Sequence, residues 1–236
     1  MGACRTARER ARDEITASIK EEARRQLAAT DASQLSVRAL ARELGMVSSA
    51  VYRYFSSRDE LLTALIRDAY DALGEAAEHA LDTADGAPPA EQWTAVCRAV
   101  REWALTHPHE YALIYGSPIA GYAAPADTVA SAERVGRALI RVVAGAAASG
   151  TLDTPPDAAL PDGVAADAER LAAQYAPGLG AARMAPLVAA WAQLFGLVGF
   201  EVFGQFHNVV TARDAFFDHA CTGLARQVGL RVPQPA

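Results

Sequence analysis

Apolar residues along this chain recur mostly at every third or fourth position, and stretches that alternate apolar with polar residues are nearly absent. That period, filled largely with alanine, predicts an all-α protein. Glycine and proline cluster at residues 84–89, 116–125 and 150–163 and interrupt the pattern. Between these breaks the spacing predicts helices over about 8–29, 36–44, 48–55, 58–83, 89–106, 108–115, 125–149, 164–175, 180–207 and 212–228. Three are short and lie within the first 60 residues or so, whereas most of the others are long. The expected organisation is therefore a small helical module over residues 1–67 and a helical bundle over residues 68–236. No internal repeat is visible, and residues 151–163, with Pro155, Pro156 and Pro161, read as a loop.

The first module carries dense local signals. Ser36 stands where a helix needs a side-chain acceptor for its free amides, and Leu35 and Leu40 flank it at staple spacing. Leu40, Ala41 and Leu44 form one apolar face, and Gly45 follows where a left-handed residue ends a helix at little cost. Ser48 is expected to cap a second short helix whose inner face is Val51 and Phe55. Ser57, Arg58, Asp59 and Glu60 have the order of a capping box. Two short helices around a tight glycine turn make a helix-turn-helix, whose second helix enters the DNA major groove. With Val51 and Phe55 turned inward, the outer face would present Ser48, Ser49, Ala50, Tyr52, Arg53 and Tyr54. Hydroxyls suit phosphates and base edges, and Arg38 suits a bidentate contact to guanine. Arg58, at the start of the next helix, suits a phosphate. The alternative is a module that only packs, with Tyr52 or Tyr54 interior.

These residues resemble the DNA-binding domain of the TetR family of bacterial regulators. The resemblance is carried by Leu35-Ser36-Val37-Arg38, by Leu40-Ala41-Arg42-Glu43-Leu44-Gly45, by Ala50-Val51-Tyr52-Arg53-Tyr54-Phe55 and by Arg58-Asp59-Glu60-Leu61-Leu62. The preceding helix, with Ile15, Ile19, Ala23 and Leu27, fits as well. It covers about residues 10–67, and departs at Asp31, where the family often has glycine. The resemblance implies that Arg38, Ser48, Ser49, Ala50, Tyr52, Tyr54 and Arg58 approach double-stranded DNA. It further implies a homodimer formed through the final two long helices. Residues 103–118, together with Trp191, Phe195-Gly196 and Glu201 to Gly204, resemble an actinobacterial-type subgroup of the family's C-terminal domains. Phe195 replaces the histidine common there.

The second half is rich in aromatic residues, which dominate cores and interfaces. Residues 187–200 are apolar almost all round, with Gln193 as the one polar residue, so such a helix needs cover on more than one side. A small-molecule site would be an apolar cavity with a few polar anchors. The candidate lining is Trp103, Tyr111, Tyr115, Trp191, Phe195 and Phe203, with Glu201, His207 or Gln205 as anchors; for each aromatic, plain core packing is the alternative. Glu201 lies in an apolar run and needs a partner, with Arg183, an arginine of a second subunit or a cationic ligand as the candidates.

Charge divides along the chain. Residues 1–67 hold 12 of the 22 Lys+Arg and 9 of the 28 Asp+Glu, a net of +3, which leaves −9 on the remainder. A basic end on an acidic body suits a polyanionic partner. Cys4, Cys97 and Cys221 are too scattered for a disulfide framework or a zinc cluster, and a reducing cytoplasm is expected. His107-Pro108-His109-Glu110 has metal-ligand types but no third ligand at fitting spacing, so no metal is expected. Nucleophile elbows and phosphate loops are absent, so neither an enzyme nor a bound cofactor is expected. No run of about 18 uninterrupted apolar residues suggests a membrane span. The opening residues lack the apolar stretch of a signal peptide. The expected protein is a ligand-responsive transcriptional regulator, a repressor before an activator. Its rival is a helical small-molecule-binding protein or enzyme with an idle helix-turn-helix.

Overall fold

Helix formation begins at Thr6, whose hydroxyl accepts from the Glu9 amide at 3.2 Å while the Glu9 carboxylate accepts from the Thr6 amide at 2.8 Å. This reciprocal box satisfies amides that have no partner inside the helix. The computed structural model describes residues 6–30, 32–153 and 159–232. Cys4, Asp31, Pro155 and Pro156 lie outside the described residues. Among the described residues it contains eleven α-helices. They are α1 Ala7–Ala29, α2 Val37–Glu43, α3 Ser48–Val51, α4 Arg58–Thr83, α5 Pro89–Thr106 and α6 Pro108–Tyr115. After these come α7 Val129–Ala132, α8 Arg134–Ala148, α9 Asp162–Tyr175, α10 Ala181–Val202 and α11 Arg213–Gln227.

The chain forms two compact units. The first takes residues 1–70 and 108–129, and the second takes residues 71–107 and 130–236. In the first unit Ile19, Ala23 and Leu27 of α1 recur at four-residue spacing and are buried. They meet Leu40 and Ala41 of α2, Val51 and Phe55 around α3, and Leu61, Leu62 and Leu65 of α4 in one core. Around its edge Asp68 accepts from Lys20 and Arg24 at 2.9 Å, and Arg24 reaches Glu110 of α6 at 3.3 Å.

In the second unit α5, α8, α10 and α11 pack on one another, with Trp93, Val100, Leu139, Leu194 and Phe217 among the buried residues. Arg134 fixes α8 to α4. Its guanidinium is bidentate to Glu78 at 2.9 and 2.6 Å and donates to the Asp71 carbonyl at 2.8 Å. This bond to Arg134 holds the Glu78 carboxyl below the usual carboxylate range. Gly74 makes the approach possible, because a Cβ there would fall 2.5 Å from the Arg134 Cβ. On the far side Arg101 of α5 is bidentate to the buried Glu201 of α10, at 2.6 and 2.7 Å. It also reaches Asp214 of α11 at 2.7 Å and lies over the Phe217 ring. One half-buried cation thus joins three helices.

Three predicted elements differ. The span 125–149 is a 3₁₀ turn, Ala126–Thr128, followed by α7 and α8, with the Thr128 hydroxyl donating to the Pro125 carbonyl at 2.8 Å. The span 180–207 stops at Val202, because Gly204 is left-handed, with φ 78°, and its amide closes back on the Glu201 carbonyl at 3.2 Å. The span 48–55 is α-helical only to Val51 and then turns. The α10 helix is also long and apolar enough, by length and composition, to cross a membrane. It buries Met184, Leu187, Ala190, Leu194, Val198 and Glu201 along one stripe and leaves Val188, Trp191 and Phe200 exposed.

Breaking one partner of a buried ion pair leaves the other charge uncompensated, at a cost of about 3–5 kcal/mol. Arg101→Met is therefore expected to destabilise by that amount in urea denaturation, and Arg101→Met with Glu201→Met to recover most of it. A double variant no better than the single one would mean that the pairing is not what holds α10 on α5.

Candidate DNA-binding surface and ligand site

In the first unit the side chains expected to face DNA are set by what the core takes away. Ser36 caps α2 by accepting from the Ala39 amide at 3.3 Å. Gly45, with φ 64°, ends it, and the Met46 amide closes on the Ala41 carbonyl at 2.8 Å. The α3 helix then starts, and Val51 and Phe55 sink into the core. Ser49, Tyr52 and Arg53 are left exposed, Ser48 and Ala50 half-buried, and Arg38 of α2 exposed. Tyr54 is half-buried against the core, and the Arg12 guanidinium of α1 lies 5.3 Å from its ring centre. Arg12 Nη2 also stands 3.5 Å from the Arg53 carbonyl, so α1 braces the end of the turn that follows α3.

Three local details depart from the expected pattern. The cap of α3 is Val47, which forms no side-chain bond to the helix, rather than Ser48. Val47 is 68% exposed. Before α4 the Ser57 hydroxyl accepts from the Glu60 amide at 3.0 Å, as a capping box requires. The returning arm, however, reaches one residue further: Glu60 accepts from the hydroxyl and amide of Ser56. Those two bonds hold its carboxyl below the usual range. Arg58 turns inward, with Nη2 donating to the Ala32 carbonyl at 2.7 Å and Nε to the Leu35 carbonyl at 3.1 Å. It ties the segment before α2 to α4.

The aromatic candidates are divided between the two units. In the first unit Tyr111 and Tyr115 stand 5.1 Å apart, and Tyr70 packs edge-on to Tyr115 at 5.9 Å. Burial drives the phenols of Tyr111 and Tyr115 well above their usual pKa. In the second unit Trp103 stacks on His107 at 5.0 Å. His107 ends α5, its amide donating to the Trp103 carbonyl. Trp103 and His107 line an open groove of about 630 Å³ together with Ala76, His79, Ala99 and Glu102. Trp191 and Phe195 meet edge-on at 5.7 Å on α10, whereas Phe203 and His207 are exposed beyond its end. Glu201 is not available as an anchor for a cation, because Arg101 engages both of its oxygens; Arg183 instead donates to the Asp153 carbonyl. No group of three His, Cys, Asp or Glu suited to a metal occurs among the described residues.

Comparison with known proteins gives this geometry its context. Residues 19–65 match the model for bacterial regulatory proteins of the tetR family, and residues 93–224 match the tetracyclin repressor-like C-terminal domain. The chain is 43% identical over 219 residues to the HTH-type transcriptional regulator Rv1816 of Mycobacterium tuberculosis, covering 91% of this chain and 93% of that one. The chain belongs to the TetR family. Among solved structures, the regulatory protein SCO4313 shares 34% identity and a TM-score of 0.72, over 93% of this chain and 98% of the other. The fold also matches RolR in complex with resorcinol, at 14% identity and a TM-score of 0.51, over 95% and 98% of the two chains. This TetR-family protein is thus a helix-turn-helix transcriptional regulator rather than an enzyme.

Two residues of this regulator escape sequence reasoning. Arg12 shares the helical face of Ile15, so its inward lean was readable, but its pairing with Tyr54 was not. Trp93 was visible only as one aromatic among many. Its indole N–H is fully buried and meets no acceptor among the described residues, an arrangement that costs about 1–3 kcal/mol.

The uncapped start of α3 makes a local test possible. Replacing a β-branched apolar cap by Ser is worth about 0.5–2 kcal/mol. Val47→Ser is expected to raise stability within that range, read as an increased urea midpoint with unchanged slope. An unchanged or lowered midpoint would mean that Val47 is held by contacts worth more than a cap.

Proposed function

We propose that this TetR-family regulator is a cytoplasmic repressor that binds a palindromic operator as a homodimer and is released by a small apolar or aromatic effector. In this reading residues 1–67 bind DNA, and residues 68–236 bind the effector and dimerise. The observation that carries it is the exposed row Ser49, Tyr52 and Arg53, with Arg38 beside it, on helices too short to stand alone and held by a dedicated core. Arg38 reads a guanine edge. Ser48, Ser49 and Ala50 allow close approach, and Tyr52 and Tyr54 reach phosphates. Arg58 serves mainly to hold the segment before α2, with only part of its guanidinium left for phosphate.

Dimerisation is supported by the second stripe of α10. Val188, Trp191 and Phe200, with Phe203 beyond its end and Phe216 of α11, are large apolar side chains left in solvent. A second copy offering the same stripe would cover them in an isologous interface. The two recognition helices then stand roughly 34–36 Å apart and meet successive major grooves. For the effector, the aromatic residues Trp103, Tyr111, Tyr115, Trp191, Phe195 and Phe203 remain the candidates, with His207 as a peripheral anchor. The resorcinol bound by RolR makes phenolic compounds reasonable first probes. The α4 helix contributes to both units and would carry the coupling, worth about 1–3 kcal/mol.

Selection of bound duplexes from random-sequence DNA at near-physiological salt tests this. An inverted repeat is expected to be enriched, and Arg38→Ala to weaken it by about 1–3 kcal/mol while relaxing one position of each half-site. Affinity should fall steeply between 50 and 200 mM salt. Folded protein that enriches no sequence, or binding that ignores salt, would instead favour a ligand-binding protein with an idle helix-turn-helix.

A further inference from the structure

The α1 helix carries charges that neither the first core nor the helix-turn-helix accounts for. Its first two turns hold Arg8, Arg10 and Arg12, all exposed and in no ion pair among the described residues. At about 100° per residue, Arg8, Arg12, Ile15 and Ile19 fall within about 60° of one another. Ile19 is fully buried, Ile15 is half-buried at the edge of the core, and Arg12 is exposed. The inward stripe of α1 thus runs past the end of the core and continues as arginine.

That stripe leads to the recognition segment. The Arg12 guanidinium lies 5.3 Å from the ring centre of Tyr54, and its Nη2 stands 3.5 Å from the Arg53 carbonyl. Arg8 follows on the same face, about 6 Å further along the axis. Helical side chains lean toward their N-terminus, which carries the Arg8 guanidinium outward, past Tyr54. The acids of this stretch lie elsewhere. Asp13 and Glu14 fall on the other side of the helix with Arg10, and the Glu9 carboxylate is engaged by the Thr6 amide. The face beside Tyr54 is therefore cationic over both turns.

We propose that Arg8 makes a second DNA contact, binding a backbone phosphate just outside the base pairs that α3 reads, once in each subunit. Arg12 holds Tyr54 and adds its charge to the same line of phosphates. Because phosphates carry no sequence, the contact lengthens the bound duplex without narrowing the choice of bases. This inference rests on the DNA-binding reading and extends it to the flanks of the operator. Arg10 is its internal control, with the same charge on the same two turns but turned about 160° away.

The test uses the full-length protein and the duplex that the wild type selects from random-sequence DNA, in two lengths. One is trimmed to the outermost selected base pair, and the other extends by about a helical turn at each end. The wild type should bind the longer duplex more tightly. Arg8→Ala should weaken that binding about two- to tenfold and lower its salt slope by about two for the dimer. On the trimmed duplex it should match the wild type. Arg8→Lys should restore most of the affinity, since a phosphate accepts either cation. Arg10→Ala should bind both duplexes as the wild type does, and all three variants should unfold in urea as the wild type does. Equal losses in Arg8→Ala and Arg10→Ala, a loss equal on both duplexes, or no loss at all would overturn the proposal and leave the helix-turn-helix reading intact. A wild-type protein that selects no duplex would overturn both.

Discussion

The DNA-facing part of this protein depends on burying two side chains. The α3 helix spans four residues, Ser48–Val51, far below the length at which a helix persists alone in water. Its N-terminus lacks a side-chain cap, so local bonding does little for it. What remains is the anchoring of Val51 and Phe55 in the core made by Ile19, Ala23, Leu40, Leu61 and Leu65. Each such side chain contributes about 1.5–3 kcal/mol when fully buried. That core decides which neighbours face outward, and therefore which can meet a nucleic acid. Arg58, bonded to two main-chain carbonyls, and Arg12, braced against Tyr54, extend the same support from outside.

The second unit solves a different problem. Its most apolar helix, α10, has more apolar perimeter than one chain covers. One stripe packs inward and is locked by the Arg101–Glu201 pair, while a second stripe stays in solvent. A buried ion pair adds little net stability compared with a well-packed apolar alternative, yet it is costly to leave half-made. Its effect here is to fix register: with Arg98–Asp218 it sets α5, α10 and α11 against one another along their length.

Local features were legible in the sequence, and distant pairings were not. The helical period located nearly every helix, and Ser36, Gly45, Val51 and Phe55 took the places their spacing implied, because caps, turns and apolar faces are encoded within a few residues. Gly204 stopped α10 earlier than the apolar run suggested, since a helical pattern continues past a glycine that the backbone uses as a terminator. Val47 took the cap position expected of Ser48, a shift of one residue that periodicity cannot resolve. For Glu201 the sequence leaves Arg183, an arginine of a second subunit or a cationic ligand as partners, but the partner is Arg101, on a helix that only the tertiary fold brings near. The aromatic candidates were marked by composition, which does not say that Tyr111 and Tyr115 belong to the first unit and Trp103, Trp191, Phe195 and Phe203 to the second.

The charge asymmetry along the chain also changes meaning once the contacts are known. Of the cations in the first unit, Lys20, Arg24, Arg25 and Arg67 pair with carboxylates, and Arg58 is mostly spent on carbonyls. Arg38 and Arg53 are exposed and enter no ion pair among the described residues. Arg8 and Arg10, at the start of α1, are likewise exposed and enter no ion pair among the described residues, so the unpaired positive charge lies at the helix-turn-helix and along the start of α1. Each phosphate neutralised by one of these cations contributes nearly one unit of slope to the salt dependence, so the loss of affinity with salt grows with how many of them meet the backbone.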